Sequence, residues 1–297
     1  MKKRWLINLI LLFAVAGLAA FLHLRPQKSI EATKTFEISQ LKMSDFNAIK
    51  IEFPTRAPTS FEKINGFWRM TAPHQARADQ PSVQRILSII AAQSTDKLPA
   101  TDLSKYGLDR AEVKLKLIKA QGGEEALFVF GTYNPVTEAQ YVQYKDTVYL
   151  LPNSYSEAAS TQPIELIDKK PIYIAEKIIG FDFSKLEQWI ESRLQVDTLD
   201  GKWLTNHSKA KLQQDEMNEW LDSAWIHGEA SSVEVYLPKR QLKYPSLEVK
   251  LKDGKKIHFD KISEAPELLL GRPDEGIIYH FSNDTGYVML NPPLHIE

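Results

Sequence analysis

The stretch GFWRM (66–70) returns as GKWLT (201–205), and the reading of that recurrence decides the fold. In each, a Gly and then a Trp enter a run suited to a strand, so each reads as a hairpin closing into a strand. An amphipathic helix follows each Trp. Val83, Ile86, Leu87 and Ile90 fall at i, i+3, i+4 and i+7, and Met217, Trp220, Leu221 and Ala224 take the same offsets, which gives each helix one apolar face. Asp79 ahead of Pro81 suits an N-terminal cap, while Asp215 is slightly displaced in the second copy. Beyond the helices come alternating runs, Val113, Leu115 and Leu117 in VKLKL and Leu247, Val249 and Leu251 in LEVKL. Alternation means a sheet with one buried and one wet face. Turns are expected at Gln121-Gly122-Gly123 and at Asp253-Gly254, each followed by a further strand.

The pattern predicts an α+β fold of two repeated units, each an antiparallel sheet with a covering helix. The recurrence extends to YKDTVYLLP (144–152) and FSNDTGYVML (281–290), both read as hairpins, with Asp146-Thr147 matched to Asp284-Thr285 and Tyr149 to Tyr287. The same alignment sets LEQWIE (186–191) against AIKIEF (48–53), so both are expected to be strands. Trp68, Tyr106, Gly107, Leu108, Gly131, Tyr149, Trp203 and Tyr287 are the structural residues that define the repeat.

The amino end speaks to location. Lys2, Lys3 and Arg4 precede WLINLILLFAVAGLAAFLHL (5–24), and about 20 apolar residues at about 1.5 Å each span a hydrocarbon core of about 30 Å. Trp5, Leu12, Phe13, Phe21 and Leu24 mark this anchor. A cleaved signal peptide is the alternative, with AGLAA (16–20) as its site, but the apolar run is longer than such peptides use and continues through Phe21 and Leu22. Basic residues at the amino side keep that end cytoplasmic. The expected layout is a tip at 1–4, a span at 5–24, a tether at 25–35, and periplasmic units at 36–165 and 166–297.

Composition narrows the chemistry. The chain of 297 residues carries 37 Lys plus Arg against 38 Asp plus Glu, which gives no basic excess for a nucleic-acid backbone. It has no cysteine, which removes disulfides, thiolate catalysis and Cys-ligated zinc. Asp284-Thr285-Gly286 matches the loop of aspartic proteases, whose carboxylate must be paired and protected; between two strand-like runs it reads as a turn. Two Ser-x-x-Lys matches, at Ser60 and Ser94, lack the accompanying Lys-Thr-Gly. The histidines show no metal-binding spacing, and Gln121-Gly122-Gly123-Glu124 lacks the Lys of a phosphate loop. No cofactor, metal or catalytic residue is expected. Of six tryptophans, Trp68, Trp203 and Trp220 read as core, and Trp225, at a helix end, reads as a contact surface.

GFW, Pro73, Ala78-Asp79, Tyr106-Gly107-Leu108-Asp109, Phe130-Gly131, Gln140-Tyr141-Val142 and Val148-Tyr149 together resemble the bacterial family called domain of unknown function 4340. The likeness covers 49–152; in the second copy Lys239-Arg240-Gln241-Leu242 stands in place of Tyr-Gly-Leu-Asp. The resemblance implies a membrane-anchored envelope protein, encoded beside ABC-type transport systems similar to gliding-motility exporters, and carries no established catalytic residues. The expectation is a non-enzymatic, single-pass inner-membrane protein whose periplasmic domains bind a transporter or another envelope assembly. A periplasmic module binding glycan or lipid in a cleft between the two repeats is the alternative, and a hydrolase ranks third.

Overall fold

The computed structural model describes residues 13–18, 20–21, 35–120, 125–173, 176–237 and 242–296. The regular structure of the described chain is mainly antiparallel sheet with a few short helices, an α+β arrangement. The first sheet comprises β1 (Phe46–Glu52), β2 (Thr59–Ile64), β3 (Phe67–Ala72), β4 (Ala76–Arg77), β5 (Lys97–Pro99), β6 (Val113–Lys119), β7 (Glu125–Asn134), β8 (Ala139–Tyr144) and β9 (Thr147–Pro152). Its spatial order is β4-β3-β2-β1-β6-β7-β8-β9-β5. The second holds β10 (Ile178–Lys185), β11 (Gln195–Leu199), β12 (Lys202–Thr205), β13 (Ser232–Val235), β14 (Ser246–Leu251), β15 (Lys256–Ser263), β16 (Glu267–Arg272) and β17 (Ile277–Ser282). Its order is β12-β11-β10-β14-β15-β16-β17-β13. Apart from β4, the two orders correspond strand for strand.

Local chemistry explains the shared parts. The β2–β3 and β11–β12 turns are Asn65-Gly66 and Asp200-Gly201, all four residues at positive φ between 50° and 87°. Two consecutive left-handed residues make the tight turn whose twist suits a hairpin, and Asn, Asp and Gly adopt it at least cost. Helix α1 (Gln80–Leu87) is capped by Asp79, whose Oδ2 accepts from Ser82 N at 3.0 Å. It buries Val83, Ile86 and Leu87, and Ile90 follows in the next turn. Helix α2 is Ser154–Ser160, α3 is Gln214–Trp220 and α4 is Asn283–Leu290. Each sheet thus has one helix between its early strands and another just after its last hairpin strand.

Three expectations need correction. LEQWIE (186–191) is not a strand: it forms a turn of 3-10 helix at Glu187–Trp189, and the strand is IIGFDFSK, residues Ile178–Lys185. Gly180 pairs with Lys250 as Ala48 pairs with Ile118, each the first pair after a shift in register. Gly180 rather than Leu186 therefore holds the place of Ala48. Asp284-Thr285-Gly286 is not a hairpin turn; it opens α4, where Ser282 Oγ caps Thr285 N. In consequence Tyr287 lies on a helix and is 64% exposed, while Tyr279 of β17 holds the place of Tyr149 in β9. The hairpin that matches Lys145-Asp146 is the turn between Arg272 and Ile277. Finally, Trp225 is fully buried. Beyond α3 the chain widens into a π turn over Leu221–Ile226, so residues five apart face the same way. Trp220 and Trp225 both pack on Phe181, with ring centroids 4.9 Å away in each case.

Gly286 is explained by packing. A Cβ there would collide with Cβ of Leu268, close to the backbone of β16 where nothing gives easily. Helix propensity alone would favour alanine by about 0.5–1 kcal/mol, but overpacking costs about 1–3 kcal/mol. Gly286→Ala is therefore expected to destabilise, read as a lower urea midpoint; a midpoint raised by the substitution would show that α4 does not sit on Leu268.

Of the anchor residues, Lys2, Lys3, Arg4, Trp5, Leu12 and Leu24 lie outside the described residues, as do Gln121-Gly122-Gly123-Glu124 and Lys239-Arg240-Gln241. Phe13 and Phe21 are helical and exposed. Among the described residues no helix is long and apolar enough to cross a membrane.

Candidate functional site

Buried charge gathers where the two sheets meet. Arg77 in β4 is 6% exposed, held by its strand on one side and by the connecting segment on the other, since Asp168 N donates to Arg77 O at 2.9 Å. Its guanidinium reaches across to the β16–β17 turn. Nε donates to Glu275 Oε1 at 2.7 Å, Nη1 to Asp168 Oδ2 at 3.0 Å, and Nη2 to Tyr279 Oη at 3.0 Å and to Lys170 O. Tyr279 in turn donates to Glu275 Oε2 at 2.8 Å. Arg272, also buried, donates to Pro171 O at 2.7 Å and pairs with Asp274 at 3.1 Å.

The electrostatics follow from burial. Burial opposes the Arg77 charge, but Glu275, Tyr279 and Asp168 outweigh it and hold its proton more firmly than usual. Burial pushes the Asp168 carboxyl up, only partly offset by Arg77. Burial, with Glu275 beside it, also pushes the Tyr279 phenol up, so this hydroxyl serves as a donor. A fork of donors saturated by two carboxylates, a phenol and a carbonyl has little left for a substrate. Its chemistry is that of a clasp. The pocket beside it, lined by Phe67, Trp68 and Tyr173 among others, measures about 140 Å³.

The second place of interest is a corner of the first sheet. A 3-10 turn at Leu103–Tyr106 ends on Gly107, whose φ of 67° admits the left-handed residue that the turn requires. Thr132 Oγ1 donates to Tyr106 O at 3.2 Å, and Gly131 passes so close beneath Tyr106 O that no Cβ fits. Leu108 is buried and the Tyr106 ring lies 5.0 Å from that of Tyr141. Gln140 Nε2 donates to Gly131 O at 2.8 Å. Of these residues, Gly107, Gly131, Thr132 and Gln140 line a polar pocket of about 640 Å³.

The structure thus brings Tyr106, Gly107, Leu108 and Gly131 together, while Tyr149 lies in β9 and packs in the core. Trp68 and Trp203 are buried at corresponding places, in β3 beside the edge strand of the first sheet and in β12 at the edge of the second, each clasped by a glutamine that sequence reading missed. Gln80 Oε1 accepts from Trp68 N and its Nε2 donates to Trp68 O, both at 2.9 Å. Gln214 does the same for Trp203 at 2.7 and 3.1 Å. Both glutamines open the helix after their Trp, a position the recurrence could have flagged. Arg77 and Glu275 left no such signal, and Gln140 stood out only within the Gln140-Tyr141-Val142 of the family resemblance. Among the described residues no cluster of three or more potential metal ligands occurs.

Comparison with known proteins gives one match. No curated protein and no solved structure matches the chain. A family model described as Domain of unknown function (DUF4340) matches residues 68–233, from Trp68 in β3 through the Tyr-Gly-Leu-Asp corner and on into β13 of the second sheet. That is more than half of the chain and extends past the segment where the sequence resemblance was plain: the chain belongs to the DUF4340 family.

Proposed function

We propose that this is a non-enzymatic, single-pass protein of the bacterial inner membrane whose periplasmic part binds a protein partner, an ABC-type transporter or another envelope assembly. Residues 1–4 face the cytoplasm, 5–24 cross the bilayer, 25–35 form a tether, and 36–165 and 166–297 are two copies of one unit. The matching strand orders and the paired Gln80–Trp68 and Gln214–Trp203 clasps support the duplication. The basic residues and apolar run at the amino end support the anchor.

The observation that carries the binding role is the Arg77 cluster. Its buried charge fastens one sheet to the other, so that the two can present one joint surface. A ligand module with its cleft between the units would need about 300–1,000 Å³ there, against about 140 Å³ beside Arg77. The test is crosslinking in intact cells, detergent solubilisation, recovery through a carboxy-terminal tag and mass spectrometry. Near-stoichiometric recovery of transporter or envelope-complex subunits is expected. Recovery of the chain alone, under crosslinking that captures a control complex, would overturn the role.

A further inference from the structure

The pocket of about 140 Å³ beside Arg77 lies below the range of free-ligand sites, yet an apolar cavity of about 150 Å³ takes a molecule the size of benzene. One large side chain of a protein partner fits it. Phe67 meets Tyr173 edge to face at 4.9 Å, and Ile64 and Trp68 add further apolar wall. Ile64 and Phe67 are cross-strand partners at the tip of the β2–β3 hairpin, 45% and 39% exposed. Apolar side chains held in the open around a hollow are the form taken by the anchor sites of protein interfaces.

Arg69 supplies a charge. It lines the same pocket, half-buried, and stands in register between Glu62 of β2 and Arg77 of β4. Arg77 is saturated by Glu275, Asp168 and Tyr279. The Arg69 guanidinium, in contrast, makes no ion pair or hydrogen bond among the described residues, not even with Glu62 directly across from it. A guanidinium carries five donors and matches a carboxylate with two of them at once. The fold does not require this arrangement. In the second unit Lys202 and Leu204 flank Trp203 as Phe67 and Arg69 flank Trp68, after the same kind of turn.

We propose that this hollow is where the protein partner docks, seating one large apolar side chain against Phe67 and Tyr173 while an acidic residue beside it pairs with Arg69. The inference rests on the partner-binding reading and gives that partner its recognition chemistry. The test is the full chain with Glu62→p-benzoylphenylalanine, at an exposed position across from Arg69, and with Val136→p-benzoylphenylalanine, four strands away, as control. After irradiation of intact cells the chain is recovered through a carboxy-terminal tag, and the joined peptides are sequenced by mass spectrometry. The Glu62 probe should join a transporter or envelope-complex subunit at a peptide carrying both a large apolar residue and Asp or Glu. Arg69→Leu, which copies the second unit, should lower that yield at least about tenfold and leave the urea midpoint unchanged. Arg69→Lys should retain more of the yield than Arg69→Leu. The proposal is overturned, with the partner reading intact, if general crosslinking recovers the subunit but the yield from the Glu62 probe survives Arg69→Leu or does not exceed that from the Val136 probe. A crosslink into a second copy of this chain, or a midpoint lowered by Arg69→Leu as for a structural arginine, overturns it as well. Failure to recover a subunit by either route overturns both readings.

Discussion

Replacing Arg77 with alanine should lower the unfolding free energy by about 3–5 kcal/mol, the range for removing one partner of a buried ion pair. The magnitude rests on what is left behind. Glu275, with 7% of its side chain exposed, loses its Arg77 bonds, and Asp168 loses its only ion-pair partner among the described contacts. Arg77→Met keeps much of the volume and isolates the charge. Asp168 already has its carboxyl pKa raised above the ordinary 3.8 by burial, so in the folded chain it holds a proton more readily than when unfolded. Its contribution therefore favours folding at low pH and is lost as pH rises through the folded value. Without the guanidinium that value rises further. The Arg77→Met deficit should thus be largest near neutral pH and shrink on acidification towards the unfolded carboxylate value. Urea titrations of both proteins across that range measure it. A deficit independent of pH would mean that packing, not charge, fastens the sheets.

The second large effect is at Trp225. With its ring 4.9 Å from Phe181 and 6.0 Å from Phe259, Trp225→Ala should cost about 3–5 kcal/mol. An exposed contact residue would change stability by no more than about 0.5 kcal/mol. Trp225→Phe should restore most of the loss, because the ring fills the core while the indole Nε1 has no partner to lose. Urea midpoints of the three proteins decide it. A neutral Trp225→Ala that instead abolished partner recovery would return this residue to the surface.

Much of the architecture is legible in local chemistry. The Asn65-Gly66 and Asp200-Gly201 turns, the VKLKL alternation and the stripe of Val83, Ile86 and Leu87 each follow from backbone preference and period. Two of the errors share one source. YVML after Asp284-Thr285-Gly286 is too short to distinguish a strand from a helix by periodicity, and matching it to Lys145-Asp146 dragged LEQWIE into the place of IIGFDFSK. Ser282 followed by the acidic Asp284 was the helix-start signal that could have corrected it. Trp225 was misplaced because a π turn changes the angular step, which no period-3.6 reading contains. The Arg77–Glu275 contact joins positions 198 residues apart, and no local pattern encodes such a pairing. The Tyr-Gly-Leu-Asp corner was half visible: Tyr106, Gly107, Leu108, Gly131 and Gln140 stand out in the sequence, whereas the bond from Gln140 Nε2 to Gly131 O emerges only in the fold.

The functional reading stands on residues 36–297 lying outside the cytoplasm, and the absence of cysteine gives a clean way to measure it. Val136, at the tip of the β7–β8 connection, is 89% exposed, so Val136→Cys offers a single accessible thiol. Cells with a permeabilised outer membrane and an intact inner membrane are treated with a membrane-impermeant maleimide, before and after lysis. The account predicts equal labelling in both. Labelling that appears only after lysis would place the sheets in the cytoplasm and contradict the account.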